Sequence, residues 1–93
     1  MDPTIQINQR VGVLSVFRDK GKPTEICYPM RMSYQGRDIV FSELGLRHPT
    51  SAGKRMIHIF DVTDGVNDYR LAFDAESLSW TLISMLEGHH ARN

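Results

Sequence analysis

The sequence predicts an all-β fold, a small antiparallel barrel or strongly bent sheet of five to six strands, SH3-like or OB-like in scale. Three observations predict it. Apolar and polar residues alternate with a period of two along most of the chain. Turn formers interrupt that alternation at short intervals, at residues 18–23, 35–36 and 63–65. The 93 residues suit one domain with a thin core, because a chain this short hides a modest share of its surface.

The elements follow in order. Ile5, Ile7, Val11 and Val13 share one parity, with Gln6, Asn8 and Arg10 on the other, as in a half-buried strand. From Gly12 the second parity also turns apolar at Leu14 and Val16, which is expected where a strand crosses a sheet corner. Arg18 to Pro23 ends the pattern. Met30, Met32 and Tyr34 then alternate with Arg31 and Ser33, Gln35-Gly36 makes a tight turn, and Arg37 to Phe41 runs back as a hairpin. Leu46 to Lys54 (LRHPTSAGK) reads as the longest loop. Met56 to Val62 is strongly β, Thr63-Asp64-Gly65 marks a turn, and Tyr69, Leu71 and Phe73 alternate with Arg70, Ala72 and Asp74.

The closing segment, 75–87, reads two ways. Asp74 fits the N-cap of a helix with Leu78, Leu82, Met85 and Leu86 at helical spacing and Gly88 as its stop. Trp80, Leu82 and Leu86 equally fit one face of a strand, with Thr81, Ile83 and Met85 on the other. The strand is preferred because closing a small barrel needs an edge partner after the second hairpin. The domain spans residues 1–93, with a core over about 5–87 and a C-terminal tail at 88–93 expected to be flexible.

Hydrophobic residues at 41% and charged residues at 24% exclude disordered, collagen-like and disulfide-scaffold classes for the whole chain. Eleven Lys and Arg balance eleven Asp and Glu, so no bulk charge points to a partner. The balance is uneven along the chain: residues 1–55 carry nine basic against five acidic side chains, and 56–93 carry two against six. Interleaving of strands from the two halves is expected to average much of this out. The lone Cys27 precludes an internal disulfide, and no zinc-ligand pair such as C-x-x-C occurs. Met1-Asp2-Pro3-Thr4 lacks the charged start and apolar run of a signal peptide, and no apolar stretch is long enough to span a bilayer. A cytoplasmic protein without membrane contact is the expectation.

A pattern of short pieces runs through the chain: Tyr34-Gln35-Gly36-Arg37, Val40, Arg55, Phe60 and Val62, Asp64-Gly65, Tyr69-Arg70-Leu71, then Asp74 and Trp80-Thr81-Leu82. In order and spacing it resembles a family of short uncharacterised bacterial small β-barrel proteins, whose pattern runs G-R, D-G, Y-x-L, D and W-x-L. The resemblance covers roughly Val13 to Glu87. The chain departs from it in the middle loop, where relatives carry tryptophans and this sequence has Gly45-Leu46-Arg47-His48-Pro49. The resemblance implies a small all-β fold ending in a strand, a bacterial cytoplasm, and some relatives beside DNA-maintenance functions; it implies no activity.

Most chemistry-bearing side chains have structural readings. As a nucleophile Cys27 would need a histidine or basic neighbour to lower its pKa; nothing in the spacing pairs His48 or His58 with it, and it reads as a structural thiol. His58 shares parity with Met56 and Phe60 and reads as a hydrogen-bonded histidine near the core. His89 and His90 lack a third ligand for a metal site. Asp61, Asp64, Asp68 and Asp74 fall at strand ends and turns, where carboxylates favour turn geometry, and Asp61-x-x-Asp64-Gly65 lacks a full calcium-loop pattern.

One constellation stands out. Arg47, His48, Lys54 and Arg55 flank the long loop, and Arg31 and Arg37 flank the preceding hairpin. Arg and Lys bind phosphates and carboxylates through charge-assisted hydrogen bonds, and small barrels present ligands on loops. Tyr28 and Tyr34 are candidate base-stacking residues, although the parity of Tyr34 points to the core. The expected function is thus a non-enzymatic binding module, without cofactor or metal, docking on nucleic acid or an acidic protein surface through a basic loop. The alternative is an interaction subunit that pairs an exposed sheet edge with a partner or with a second copy as a homodimer.

Overall fold

In the computed structural model the alternation becomes seven antiparallel strands and no helix among the described residues, 3–20, 27–52 and 55–88. Of Cys27, residues 46–52 and Arg55, the backbone alone is described. The strands are β1 (Thr4–Phe17), β2 (Cys27–Tyr34), β3 (Arg37–Val40), β4 (Glu43–Ala52), β5 (Arg55–Thr63), β6 (Asp68–Asp74) and β7 (Ser79–Leu86). They form one sheet in the order β3-β2-β1-β7-β6-β5-β4, curled strongly into a half-barrel. Seven strands replace the expected five to six.

Two corners produce the curl. β1 pairs with β7 along Thr4 to Val11 and with β2 along Gly12 to Phe17, so the strand changes partners where its second parity turns apolar. Glycine at position 12 leaves nothing within 4 Å of a notional Cβ, a relaxed place for the strand to bend. The second corner is Phe41-Ser42. Phe41 donates its amide to the Met30 carbonyl on β2 (2.9 Å), and Ser42 donates to the Thr63 carbonyl on β5 (2.8 Å). The chain therefore passes from one wall of the half-barrel to the other within two residues.

The additional strand is β4, which occupies most of the stretch expected as a loop. Pro49, Ser51 and Gly53 suggested a turn, yet residues 47–52 pair with β5 from Arg47 opposite Phe60 to Ala52 opposite Arg55. β4 is an edge strand, and an edge is where a sheet tolerates proline, whose missing N–H can face outward.

β7 resolves the ambiguity of the closing segment in favour of the strand. Asp74 is no helix cap; its Oδ1 accepts the amides of Glu76 (2.9 Å) and Ser77 (3.4 Å) in the turn before β7. The helix-like spacing arises from a bulge. Leu71 faces Leu82, but the preceding Arg70 faces Ser84, so Ile83 is the extra residue. Trp80 and Leu82 pack inward before it and Met85 after it, a spacing of two then three that imitates a helical period.

The core lies on the inner face. Met32, Ile39, Phe60, Val62, Tyr69, Leu71, Phe73, Trp80 and Leu82 are buried together. Trp80 stacks at a tilt on Phe73 (4.9 Å between centroids) and Phe60 (5.4 Å), an aromatic triple supplied by three adjacent strands. Both hairpin turns follow their residue types. Gln35 (φ 52°) and Gly36 (φ 75°) have the two positive angles of a type I′ turn. In the β5–β6 turn, Asp64 Oδ1 accepts the amides of Val66 (2.9 Å) and Asn67 (2.7 Å).

Candidate functional site

Of the six predicted basic residues, the five whose backbone is described lie on strands in two parts of the sheet. Arg31 lies mid-strand in β2 and Arg37 opens β3, both exposed, on one side of the Phe41-Ser42 corner. Arg47, His48 and Arg55 lie on the β4–β5 hairpin beyond it, opposite Phe60, Ile59 and Ala52 respectively. Arg47 is five strand residues from Ala52, roughly 17 Å at the usual rise. Lys54 lies outside the described residues. The expected presenting loop is thus a paired strand, and its cations are spaced along a hairpin.

What surrounds Arg31 is more specific. Leu14, Arg31 and Val40 form one cross-strand rung on the outer face of β1, β2 and β3. Leu14 is 48% and Val40 60% exposed, so the guanidinium stands between two unburied aliphatic side chains. Met30, the bulged residue beside it, is 40% exposed. Arg31 makes no ion pair among the described residues. The nearest carboxylate by register is Asp38, one rung away opposite Ser33, a diagonal of roughly 7 to 8 Å.

The proposed stacking tyrosines are engaged elsewhere. Arg18 donates to the Tyr28 hydroxyl (3.1 Å) and sets its guanidinium 5.6 Å from that ring's centroid. Tyr34 is half-buried and packs on the core, as its parity indicated. The exposed aromatic ring is Phe17, at the end of β1.

A second feature was not read from the sequence. The outer face of β1, β7, β6, β5 and β4 is hollowed into a groove of about 720 Å³. Two adjacent rungs line it. One runs Gln6, Ser84, Arg70 and Asp61, continued by Gly45 on β4; the next runs Thr4, Leu86, Asp68, Thr63 and Glu43. Irregularities in β1 after Gln6, in β4 after Leu44 and in β7 at Ile83 fall in one band beside these rungs. Such bulges bend a sheet and re-aim side chains. Gly45 belongs to the wall because a Cβ there would meet the Asp61 carbonyl oxygen at 3.1 Å.

Arg70 binds Asp61 with two bonds, Nε to Oδ1 at 2.7 Å and Nη2 to Oδ2 at 3.1 Å, and this partner raises the arginine's already high pKa. Ser84, on the groove floor, is 8% exposed. The Asp61–Arg70 pair was legible: each lies three residues outside the span 64–67, so a hairpin about that turn opposes them. The burial of Ser84 was not, because it follows from the bulge.

The remaining candidates have structural surroundings. The His58 ring sits 6.5 Å from Phe73, opposite it in register and half-buried, as expected of a histidine at the core margin. Asp64, besides its two turn amides, accepts the Tyr69 hydroxyl on Oδ2 (3.0 Å). Burial alone would raise its pKa, but the hydrogen bonds from Asn67, Val66 and Tyr69 outweigh that and hold it below the ordinary 3.8. The Tyr69 hydroxyl is pushed up, chiefly by burial. Cys27 pairs with Phe17 in β2 by its backbone, and His89 and His90 lie outside the described residues.

The fold defines a class, a small and strongly curled antiparallel half-barrel. No family model, no curated protein and no solved structure matches this chain. Among the described residues, no helix is long and apolar enough to cross a membrane.

Proposed function

We propose that the protein is a non-enzymatic binding module that docks on an acidic protein surface through the outer face of β1, β2 and β3. The observation that carries this reading is the exposed rung Leu14–Arg31–Val40, whose guanidinium makes no ion pair among the described residues. An arginine flanked by apolar side chains is the usual make-up of an interface centre: the neighbours exclude water and the planar fork grips a carboxylate at two points. Nucleic acid is the weaker partner, since Tyr28 lies against Arg18, Tyr34 packs on the core, and one exposed phenylalanine is a small platform for bases.

Immobilised poly-glutamate and single-stranded oligonucleotide at low ionic strength separate the readings. Retention on poly-glutamate, lost in Arg31→Glu and in Val40→Asp, is the expected result. Retention on the oligonucleotide alone, or binding indifferent to Arg31→Glu, refutes it.

Edge pairing is a second reading, favoured by β4, whose ten residues pair on one side with β5 and, among the described residues, have no strand on the other. Pro49 and the bulge after Leu44 shorten the stretch that another strand could join. A concentration-dependent dimer in sedimentation would support it, and a strict monomer that binds poly-glutamate would set it aside.

A further inference from the structure

We propose that the partner of the β1–β2–β3 outer face is the same face of a second copy of this chain, in a two-fold dimer that pairs Arg31 of each copy with Asp38 of the other. The inference rests on the docking reading above and names the acidic surface it requires.

Two adjacent rungs of this face hold one cation and one anion. The first is Leu14, Arg31 and Val40; the second is Gly12, Ser33 and Asp38. Arg31 and Asp38 lie on the diagonal between them, roughly 7 to 8 Å apart. Both are exposed, and neither makes an ion pair or a side-chain hydrogen bond among the described residues. Elsewhere on the sheet the corresponding charges are engaged: Asp61 holds Arg70 by two bonds, and Arg18 lies on Tyr28.

That pattern selects the occupant. A surface acidic throughout would satisfy Arg31 and repel Asp38, and a basic one would do the reverse. The partner that satisfies both carries one charge of each sign at the same separation. A second copy related by a two-fold axis does so necessarily, since where one residue contacts another across such an axis the reverse contact also forms. The chain's eleven basic and eleven acidic side chains sum to zero, so no net repulsion opposes association.

Shape and apolar surface complete the argument. With the axis lying in the interface midway between Arg31 and Asp38, each guanidinium stands over the other copy's carboxylate. Packed sheet faces are roughly 10 Å apart, which the two side chains span together. The same axis runs close to the other diagonal, from Val40 to Ser33, so Val40 meets its own counterpart beside the ion pairs. Val40 is the most exposed side chain of its rung's two aliphatics, and contact there removes water from the charges. Gly12 has nothing within 4 Å of a notional Cβ, and Ser33 is small and exposed, so the second rung is open to close approach. A contact of this size falls in the weak, readily reversible class.

The test is sedimentation equilibrium of the full chain over a wide concentration series up to millimolar, at low ionic strength, beside retention on poly-glutamate. Wild type should show a monomer–dimer equilibrium that weakens as salt is raised. Arg31→Glu and Asp38→Arg each turn both ion pairs into like-charge pairs, and each should weaken the dimer about tenfold or more. An equimolar mixture of the two variants should form a mixed dimer, and the double variant Arg31→Glu/Asp38→Arg should recover its own, because unlike charges oppose each other again in both. That recovery also shows that the single variants fold. A wild type that is monomeric at every concentration yet retained on poly-glutamate overturns the dimer and leaves the docking reading standing; a monomer that is not retained removes both. A dimer indifferent to Arg31→Glu, as edge pairing through β4 would give, or single variants that do not recover on mixing, also overturns it.

Discussion

Asp64 offers the sharpest test of how the second hairpin is held. Replacing it with alanine removes three hydrogen bonds at once: those from the Val66 and Asn67 amides to Oδ1 and from the Tyr69 hydroxyl to Oδ2. The amides lie in a turn that water reaches, so each bond contributes about 0.5 to 1 kcal/mol net. The tyrosine is different. Tyr69 is 2% exposed, and without Asp64 its hydroxyl proton loses its acceptor, while Asn67 Nδ2 at 3.3 Å can only donate to it. Leaving that donor unpaired adds about 1 kcal/mol or more, for a total of about 2 to 3 kcal/mol. Asp64→Asn keeps one carbonyl oxygen for the amides but cannot accept the Tyr69 proton on its NH₂, so it should lose roughly half as much. The pH dependence has a definite sign. The folded pKa of Asp64 lies below the ordinary 3.8, so the ionised side chain contributes fully above that value and loses its contribution as pH falls through the folded pKa. Urea unfolding followed by the fluorescence of Trp80 at neutral pH and down to about pH 3 measures both effects. An Asp64→Ala loss below about 0.5 kcal/mol, or a stability difference between wild type and Asp64→Asn that does not shrink on acidification, refutes the reasoning.

Two further outcomes test the core and the first turn. Phe60→Ala, at a fully buried ring packed on Trp80, should cost about 3 to 5 kcal/mol and blue- or red-shift Trp80 emission in the same urea experiment. Gln35→Asn should raise stability by about 0.5 kcal/mol, because Asn tolerates the positive φ of 52° better than Gln; a loss of stability would show that the turn is held by something other than its backbone angles.

The parts of the fold legible in the sequence were those governed by local chemistry. Gln35-Gly36 supplied positive φ, Asp64 supplied a turn acceptor, and the alternation of Tyr69, Leu71 and Phe73 placed each on the core side. The parity change at Gly12 also marked a real corner, since β1 changes partners there. The misread loop and the ambiguous closing segment share a cause: each depends on which neighbour a strand finds. Pro49 reads as a loop residue until an edge position makes its missing N–H harmless. Leu82 and Met85 read as helical until a bulge explains their spacing. The candidate site divides the same way. The Asp61–Arg70 pair follows from counting outward from the turn, whereas the place of the buried Ser84 beside Arg70 requires knowing that β7 lies between β1 and β6 and bulges at Ile83.

The uneven charge of the chain bears on the proposed docking face. Interleaving was expected to mix the basic first half with the acidic second half. The observed order joins two meanders, β1-β2-β3 and β4-β5-β6-β7, through the pairing of β1 with β7, and leaves the sequence neighbours β3 and β4 at opposite ends of the sheet. Strands β1, β2 and β3 therefore keep Arg10, Arg31 and Arg37 on one wall, and β5, β6 and the turn between them keep Asp61, Asp64, Asp68 and Asp74 on the other, beside Arg47, Arg55 and Arg70. Within a Debye length of roughly 8 Å each outer face presents its own local charges and not the zero net charge of the whole. Topology thus preserves a polarity that composition conceals.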